Sequence, residues 1–306
     1  MPIPVVQLGT GNVGIHALRA LITNPEFELK GVWVSSDLKA GKDAAELAGL
    51  TEPTGVLAST DLDAVLATGP RCAVYNALAD NRLPEALEDY RRVLAAGINI
   101  VGSGPVFLQY PWQVIPEELI QPLEDAAQQG NSSLYVNGID PGFANDLLPL
   151  ALAGTCQSIQ QIRCMEIVDY ATYDNAAVMF DVMGFGKPLD DIPMLLQPGV
   201  LSLAWGSVIR QIAAGLGISL DEVTQDYVRI PAPETSTSPR ATSPRAPPRR
   251  CASRCSARST AVPSSSSNTS PGCARTCAPT GRSRPKRVAP TASRSPANRP
   301  TPWMSA

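Results

Sequence analysis

Near the N-terminus, Gly9-Thr10-Gly11-Asn12-Val13-Gly14 has the spacing G-x-G-x-x-G. It lies between an apolar run, residues 3–8, and a segment with apolar residues at helical spacing (Val13, Ala17, Leu18, Leu21, Ile22). Gly9 permits a tight turn, Gly11 lets the backbone approach a pyrophosphate, and Gly14 lets helix and strand pack closely. The helix that follows offers free N–H groups and a positive dipole to the phosphates, with Thr10, Asn12 and Val13 completing the loop. This is the chemistry of dinucleotide binding, and a nicotinamide nucleotide makes it hydride-transfer chemistry. The next strand ends Val34-Ser35-Ser36-Asp37-Leu38-Lys39. An acidic residue at that end usually binds the ribose 2′-OH of NAD. Ser35 and Ser36 stand there instead, and Lys39 and Lys42 suit a 2′-phosphate, which favours NADP slightly over NAD. Asp37 keeps NAD open, and the plain alternative for the two lysines is a solvated loop. Ala77 and Ser103, which follow strand patterns at 71–75 and 98–101, are further cofactor-contacting candidates.

Acid/base candidates are few. Asp140 ends a strand pattern directly before Pro141-Gly142, where open α/β sheets place their sites, although Asp before Pro-Gly is also a common turn residue. Tyr110 and Tyr173 are proton-donor candidates, or else walls of a cleft. Gln109, Asn145, Asp169 and Tyr170 are the substrate-contacting candidates, with Met179, Phe180, Met183 and Phe185 as an apolar section beside them. His16 is the only histidine, and the body of the chain has no metal-ligand spacing, so neither a zinc centre nor a Ser-His-Asp triad is expected. Cys72, Cys156 and Cys164 read as buried free thiols.

Strand patterns at 3–8, 27–34, 71–75, 98–101 and 133–136 alternate with helical ones at 12–23, 43–49, 61–67, 84–96 and 116–129. Such alternation predicts a doubly wound parallel sheet of Rossmann type covered on both faces, over residues 1–138. From about Ile139 the pattern changes: a helix over 145–152, an amphiphilic strand over 159–168, a long helix over 199–216 and a further helix over 221–230. Residues 139–235 therefore read as an α+β substrate and dimerisation domain, incomplete, and 236–306 as a disordered tail.

The glycine motif, Asn99-Ile100-Val101 running to Tyr110-Pro111-Trp112, and Asn137-Gly138-Ile139-Asp140-Pro141-Gly142-Phe143 resemble the dihydrodipicolinate-reductase-like oxidoreductases. Within them, the resemblance is to 2,4-diaminopentanoate dehydrogenases and native amine dehydrogenases, over roughly residues 3 to 235. It implies a two-domain, usually dimeric enzyme that reversibly reduces an imine, formed from a small carbonyl compound and ammonia, with NAD(P)H. One departure stands out. The amine dehydrogenases resembled here carry a catalytic glutamate before Tyr-Pro-Trp, whereas Gly102-Ser103-Gly104-Pro105-Val106-Phe107-Leu108-Gln109 has no carboxylate. The family usually has Asn where Asp140 stands, which makes Asp140 the candidate replacement. A carbonyl reductase or alcohol dehydrogenase of the same fold is the alternative, as is a nucleotide-binding protein without catalysis.

Charge divides the chain. All 28 acidic residues precede Ser236, with only 12 of the 25 basic ones, so the body is strongly negative and a poor nucleic-acid binder. No run approaches the roughly 18 apolar residues of a membrane span, and no signal peptide is evident, so a cytoplasmic protein is expected. After Thr235 the chain is Ser, Pro, Arg, Thr and Ala with little to pack; Cys251/Cys255 and Cys273/Cys277 lack the wider pattern of a metal site. Taken literally this is a basic arm of the kind that binds nucleic acid. A GC-rich gene read out of phase gives the same composition. Codons that spell the tail, shifted by one base, yield approximately FDIPAGHIPEGTAAALRFEV, then VVVVEHITRLRADLRPDWPQP, then GGSYRVEITGEPTYAMDV. These strings have strand alternation, balanced charge and turn residues, and they resemble the C-terminal part of the same family. A one-base frameshift near codons 235–236 is the reading preferred here, with a homodimer expected of the frame-corrected protein.

Overall fold

Val5, Val6 and Leu8 are each at most 1% exposed, so the strand that carries them, β1 (Ile3–Leu8), is covered on both faces. In the computed structural model, residues 1–79, 82–168, 170, 173 and 175–231 are described, together with the backbone of 253–263. Five more strands follow in sequence: β2 (Phe27–Trp33), β3 (Ala58–Ser59), β4 (Cys72–Tyr75), β5 (Asn99–Gly102) and β6 (Leu134–Val136). They form one six-stranded sheet in the order β3-β2-β1-β4-β5-β6, and every pairing is parallel. This is the doubly wound Rossmann order, which reverses between β1 and β4 and opens a crevice at their carboxyl ends.

Helices α1 (Gly14–Thr23), α2 (Ala44–Ala48), α3 (Leu62–Leu66), α4 (Leu83–Ala95) and α5 (Glu117–Gly130) connect the strands. In α4, Ala86, Asp89, Tyr90, Val93 and Leu94 are buried, three or four residues apart, as one apolar stripe against the sheet. Asp89 is the polar member. Its carboxylate accepts from Arg82 and from the Tyr75 hydroxyl, both at 3.0 Å, and Arg82 also donates to that hydroxyl at 3.0 Å. The Tyr75 and Tyr90 rings pack at a 43° tilt, centroids 4.5 Å apart, in a core that continues through Leu8, Ile100, Phe107 and Leu123.

Asp43 caps α2 and ties its start to a later loop. Its carboxylate accepts from the amides of Ala45, Thr54 and Gly55 and from the Thr54 hydroxyl. The Thr54 and Ala45 amides lead in holding its pKa down, to about 2. A depressed carboxylate pKa adds stability that is present above the unfolded value and lost as pH falls through the folded one. Amide exchange at Ala45, Thr54 and Gly55 is expected to accelerate locally as pH drops from about 4 toward 2, ahead of the sheet amides, with the intrinsic exchange rate subtracted.

Beyond β6 lie α6 (Leu147–Ala153), α7 (Val200–Gly215) and an antiparallel pair, β7 (Leu220–Pro231) and β8 (Ser253–Pro263). Helices at 145–152 and 199–216 were expected, and α6 and α7 fall there. Three other expectations are corrected. Residues 221–230 form part of β7, not a helix: Val223, Gln225, Tyr227 and Arg229 alternate with more exposed neighbours, and the β-branched and aromatic content outweighs the acidic start. Residues 159–168 form no strand, because no described strand pairs with them. Cys156 and Cys164 are exposed and Cys72 half-buried, since nothing described packs over the segment carrying the first two. Within the stretch read as a disordered tail, 253–263 pairs with β7, and the rest lies outside the described residues. Among the described residues, no helix is long and apolar enough to cross a membrane.

Candidate active site

The glycine loop is built by close packing. Gly9 has φ +92°, and a Cβ there would lie 2.6 Å from the Ala77 backbone. A Cβ on Gly14 would lie 2.2 Å from the Gly9 carbonyl oxygen, so α1 touches the turn directly. Gly11, by contrast, faces open space. Helix α1 begins with no side-chain cap and no acidic residue in its first turn, which leaves its positive end uncancelled. A cradle of this form fits a pyrophosphate.

Three strand ends are joined beneath the loop. Gln7 is fully buried, and its Nε2 donates to the Gly9 carbonyl (2.8 Å) and to Asn76 Oδ1 (3.0 Å). Asn76 Nδ2 in turn donates to Ser103 Oγ (2.9 Å). Ala77 and Ser103 thus sit at the crevice, Ala77 against Gly9 and Ser103 at the end of this ladder. Lys39 reaches across from the loop after β2: its ammonium donates to the Thr10 carbonyl (2.7 Å) and hydroxyl (3.2 Å). Ser36 is half-buried and Ser35 exposed beside it.

A second group of residues gathers around Asp140. Oδ1 of Asp140 accepts from Asn145 Nδ2 and, at 2.9 Å, from Trp205 Nε1 of α7. Asn145 is buried, and its Oδ1 accepts from the Gly142 amide at 2.8 Å, closing the turn. Gln109 Nε2 donates to the Pro141 carbonyl at 2.9 Å, while its Oε1 is buried with no partner among the described residues. Glu166 lies beside Asp140, and its Oε1 accepts from the Tyr170 hydroxyl at 2.8 Å. Burial and the neighbouring Asp140 raise the Glu166 pKa, against the Tyr170 hydrogen bond, which lowers it. Burial, Glu166 and Asp140 push the Tyr170 hydroxyl above its ordinary value.

Asp140, Asn145 and Tyr170 are therefore gathered in one cluster, with Gln109 attached through Pro141. Tyr173 stacks edge-on to Tyr170 at 6.0 Å, and Tyr110 edge-on to Trp112 at 5.1 Å, each without a contact to Asp140 among the described residues. Asp169 lies outside the described residues. Glu166, Trp205, Gln7 and Asn76 were not singled out from sequence. Glu166 had a signal, a lone acid in the apolar run Met165-Glu166-Ile167-Val168; the others are joined to the site only through the fold.

No protein-family profile matches the chain. Amine dehydrogenase of Streptomyces virginiae is 41% identical over 236 residues, 77% of this chain and 65% of that protein. 4-Hydroxy-tetrahydrodipicolinate reductase of Trichormus variabilis is 36% identical over 173 residues, 55% of this chain and 58% of that one. The chain thus spans less than two thirds of either relative's length. Among solved structures, the amine dehydrogenase from Mycobacterium smegmatis superposes with a TM-score of 0.66 at 18% identity, over 86% of this chain and 76% of that one, which is likeness of fold. Over part of their lengths, then, the chain is similar to amine dehydrogenase and to 4-hydroxy-tetrahydrodipicolinate reductase, and its fold is like that of a solved amine dehydrogenase.

Proposed function

We propose that the chain binds a nicotinamide nucleotide, NADP in preference to NAD, and interconverts a small amine with the corresponding imine. The observation that carries this is the close-packed Gly9–Gly14 turn at an uncapped helix end, at the reversal point of the sheet. The nucleotide, when bound, supplies or accepts the hydride. The backbone of Gly11 and the start of α1 hold the pyrophosphate, and Gly9 keeps that backbone turned toward it. Lys39, already drawn to Thr10, answers a 2′-phosphate. Replacing Lys39 with alanine is expected to weaken NADPH binding about tenfold and leave NADH binding within a factor of two, by fluorescence titration. Equal loss for both nucleotides would remove the preference for NADP.

Asp140 and Glu166 take the acid/base role that the segment before Tyr110-Pro111-Trp112 lacks. A carboxyl with a raised pKa sits nearer the working pH, where proton transfer to and from a substrate nitrogen is most effective. Tyr170 orients the Glu166 carboxyl, and Asn145 and Trp205 orient Asp140. The decisive experiment follows NADPH oxidation over a panel of ketones and aldehydes, with and without ammonia. Consumption that depends on ammonia is the expected result, and consumption indifferent to it would make the protein a carbonyl reductase. In the same assay Glu166→Gln and Asp140→Asn should each lower turnover about 100-fold while nucleotide affinity is unchanged. Full turnover in both variants would end the assignment.

A further inference from the structure

Residues 159–168 have the alternation of a strand and, among the described residues, no strand beside them. Ile159, Met165, Ile167 and Val168 are 38%, 74%, 90% and 53% exposed, and Leu148 and Leu152 of α6 are open to solvent as well. No residue of α6 is buried. A sheet-forming segment and an apolar helix, uncovered among the described residues, are the kind of apolar surface that another element normally covers. We infer that this surface is covered by strands encoded directly downstream in the neighbouring reading frame, and that the chain from Ser236 onward is the shifted reading of those codons.

Three observations identify the occupant. The first is the genetic code itself. Read one base earlier, a TCN serine codon becomes Phe, Leu, Ile or Val, a cysteine codon becomes Leu, Val or Met, and a threonine codon becomes Tyr, His, Asn or Asp. A tail of serine, cysteine and threonine is therefore an apolar and polar alternation in the adjacent phase. Ser236-Thr237-Ser238-Pro239 written TCG-ACA-TCC-CCG after a T reads TTC-GAC-ATC-CCC, which is Phe-Asp-Ile-Pro, and one permitted choice of codons for residues 236–255 continues it as FDIPAGHIPEGTAAALRFEV. If Ser264, Ser265, Ser266 and Ser267 use TCN codons, each becomes Phe, Leu, Ile or Val, and with G at each preceding third position they become four valines, a strong strand signal.

The second observation is charge: not one acidic residue follows Thr235, while the shifted strings restore both signs. The third is extent. The match to the Streptomyces virginiae amine dehydrogenase covers 236 residues of this chain and leaves about a third of that protein without a counterpart. The strand β8, at 253–263, shows that the edge of β7 accepts a strand from this part of the chain. The inference does not depend on the reaction proposed above.

The test has two arms. Genomic DNA across codons 230–270 is sequenced, and codons that fail to encode these strings in the adjacent phase overturn the inference outright. The chain as written and the frame-restored chain are then compared by hydrogen exchange and by binding of the dye ANS. Restoration should slow exchange at residues 159–168 by about 100-fold or more, as for paired strands, and cut ANS fluorescence several-fold. A restored chain in which residues 159–168 exchange as fast as before would show that the downstream strands do not cover them.

Discussion

Replacing Gly14 with alanine is expected to weaken nucleotide binding about 100-fold, equivalent to about 2.8 kcal/mol at 1.4 kcal/mol per decade. The added methyl would lie 2.2 Å from the Gly9 carbonyl oxygen and 2.9 Å from its carbon, and both are backbone atoms that cannot rotate away. Either α1 lifts off β1 or the turn at Gly9 opens, and both disperse the N–H groups that form the cradle. Gly11→Ala makes the informative contrast. Its methyl meets nothing in the protein within 4 Å, so the thermal midpoint should hold while nucleotide affinity still falls, because the space it enters is the one assigned to the pyrophosphate. Titration of both variants with NADPH, alongside thermal unfolding, separates the two effects. If Gly11→Ala binds as tightly as the parent, the pyrophosphate lies elsewhere.

Asp89→Ala is expected to cost about 3 kcal/mol, the lower end for breaking a buried ion pair. Asp89 is about 10% exposed in its side chain and Arg82 about 25%, so the guanidinium and the Tyr75 hydroxyl would lose their acceptor with little water to replace it. The cost falls where α4 meets the sheet, next to the packed rings of Tyr75 and Tyr90. Glu88→Ala, one residue earlier, removes an exposed pair with Arg91 and should cost under about 1 kcal/mol. Urea unfolding of the two variants checks this. Equal costs would mean that burial at Asp89 contributes nothing.

The nucleotide half was legible because each of its elements is specified locally. Apolar runs ending in glycine gave β1 and β5, and the caps at Asp43 and Asp61 began helices near where their spacing placed them. The second half was not, for physical reasons. Residues 221–230 open with Asp221-Glu222, which suits a helix start, and only pairing with another strand makes the alternation from Val223 decisive. Residues 159–168 carry the pattern of a strand and form none, because a strand is a property of two segments and the second is lacking among the described residues. Asp140 was legible as a turn acid at a strand end. Its contacts with Trp205, 65 residues on, and with Glu166 arise only when α7 and the 159–168 segment are brought to the turn after β6, and no local spacing encodes that.

The Gln7–Asn76–Ser103 ladder has a consequence for how the two ends of the crevice communicate. Gln7 gives both of its amide protons away, one to the phosphate turn and one to the end of β4, and Asn76 passes the constraint to Ser103 beyond β5. A displacement of Ser103 is thus passed through Asn76 and Gln7 to the Gly9 carbonyl, and a displacement of Gly9 is passed back by the same bonds. Thermodynamic linkage makes that influence equal in both directions. For the nucleotide proposed at Gly9 and a substrate held at Ser103, the affinity of each would depend on the other, with Gln7 as the shared support.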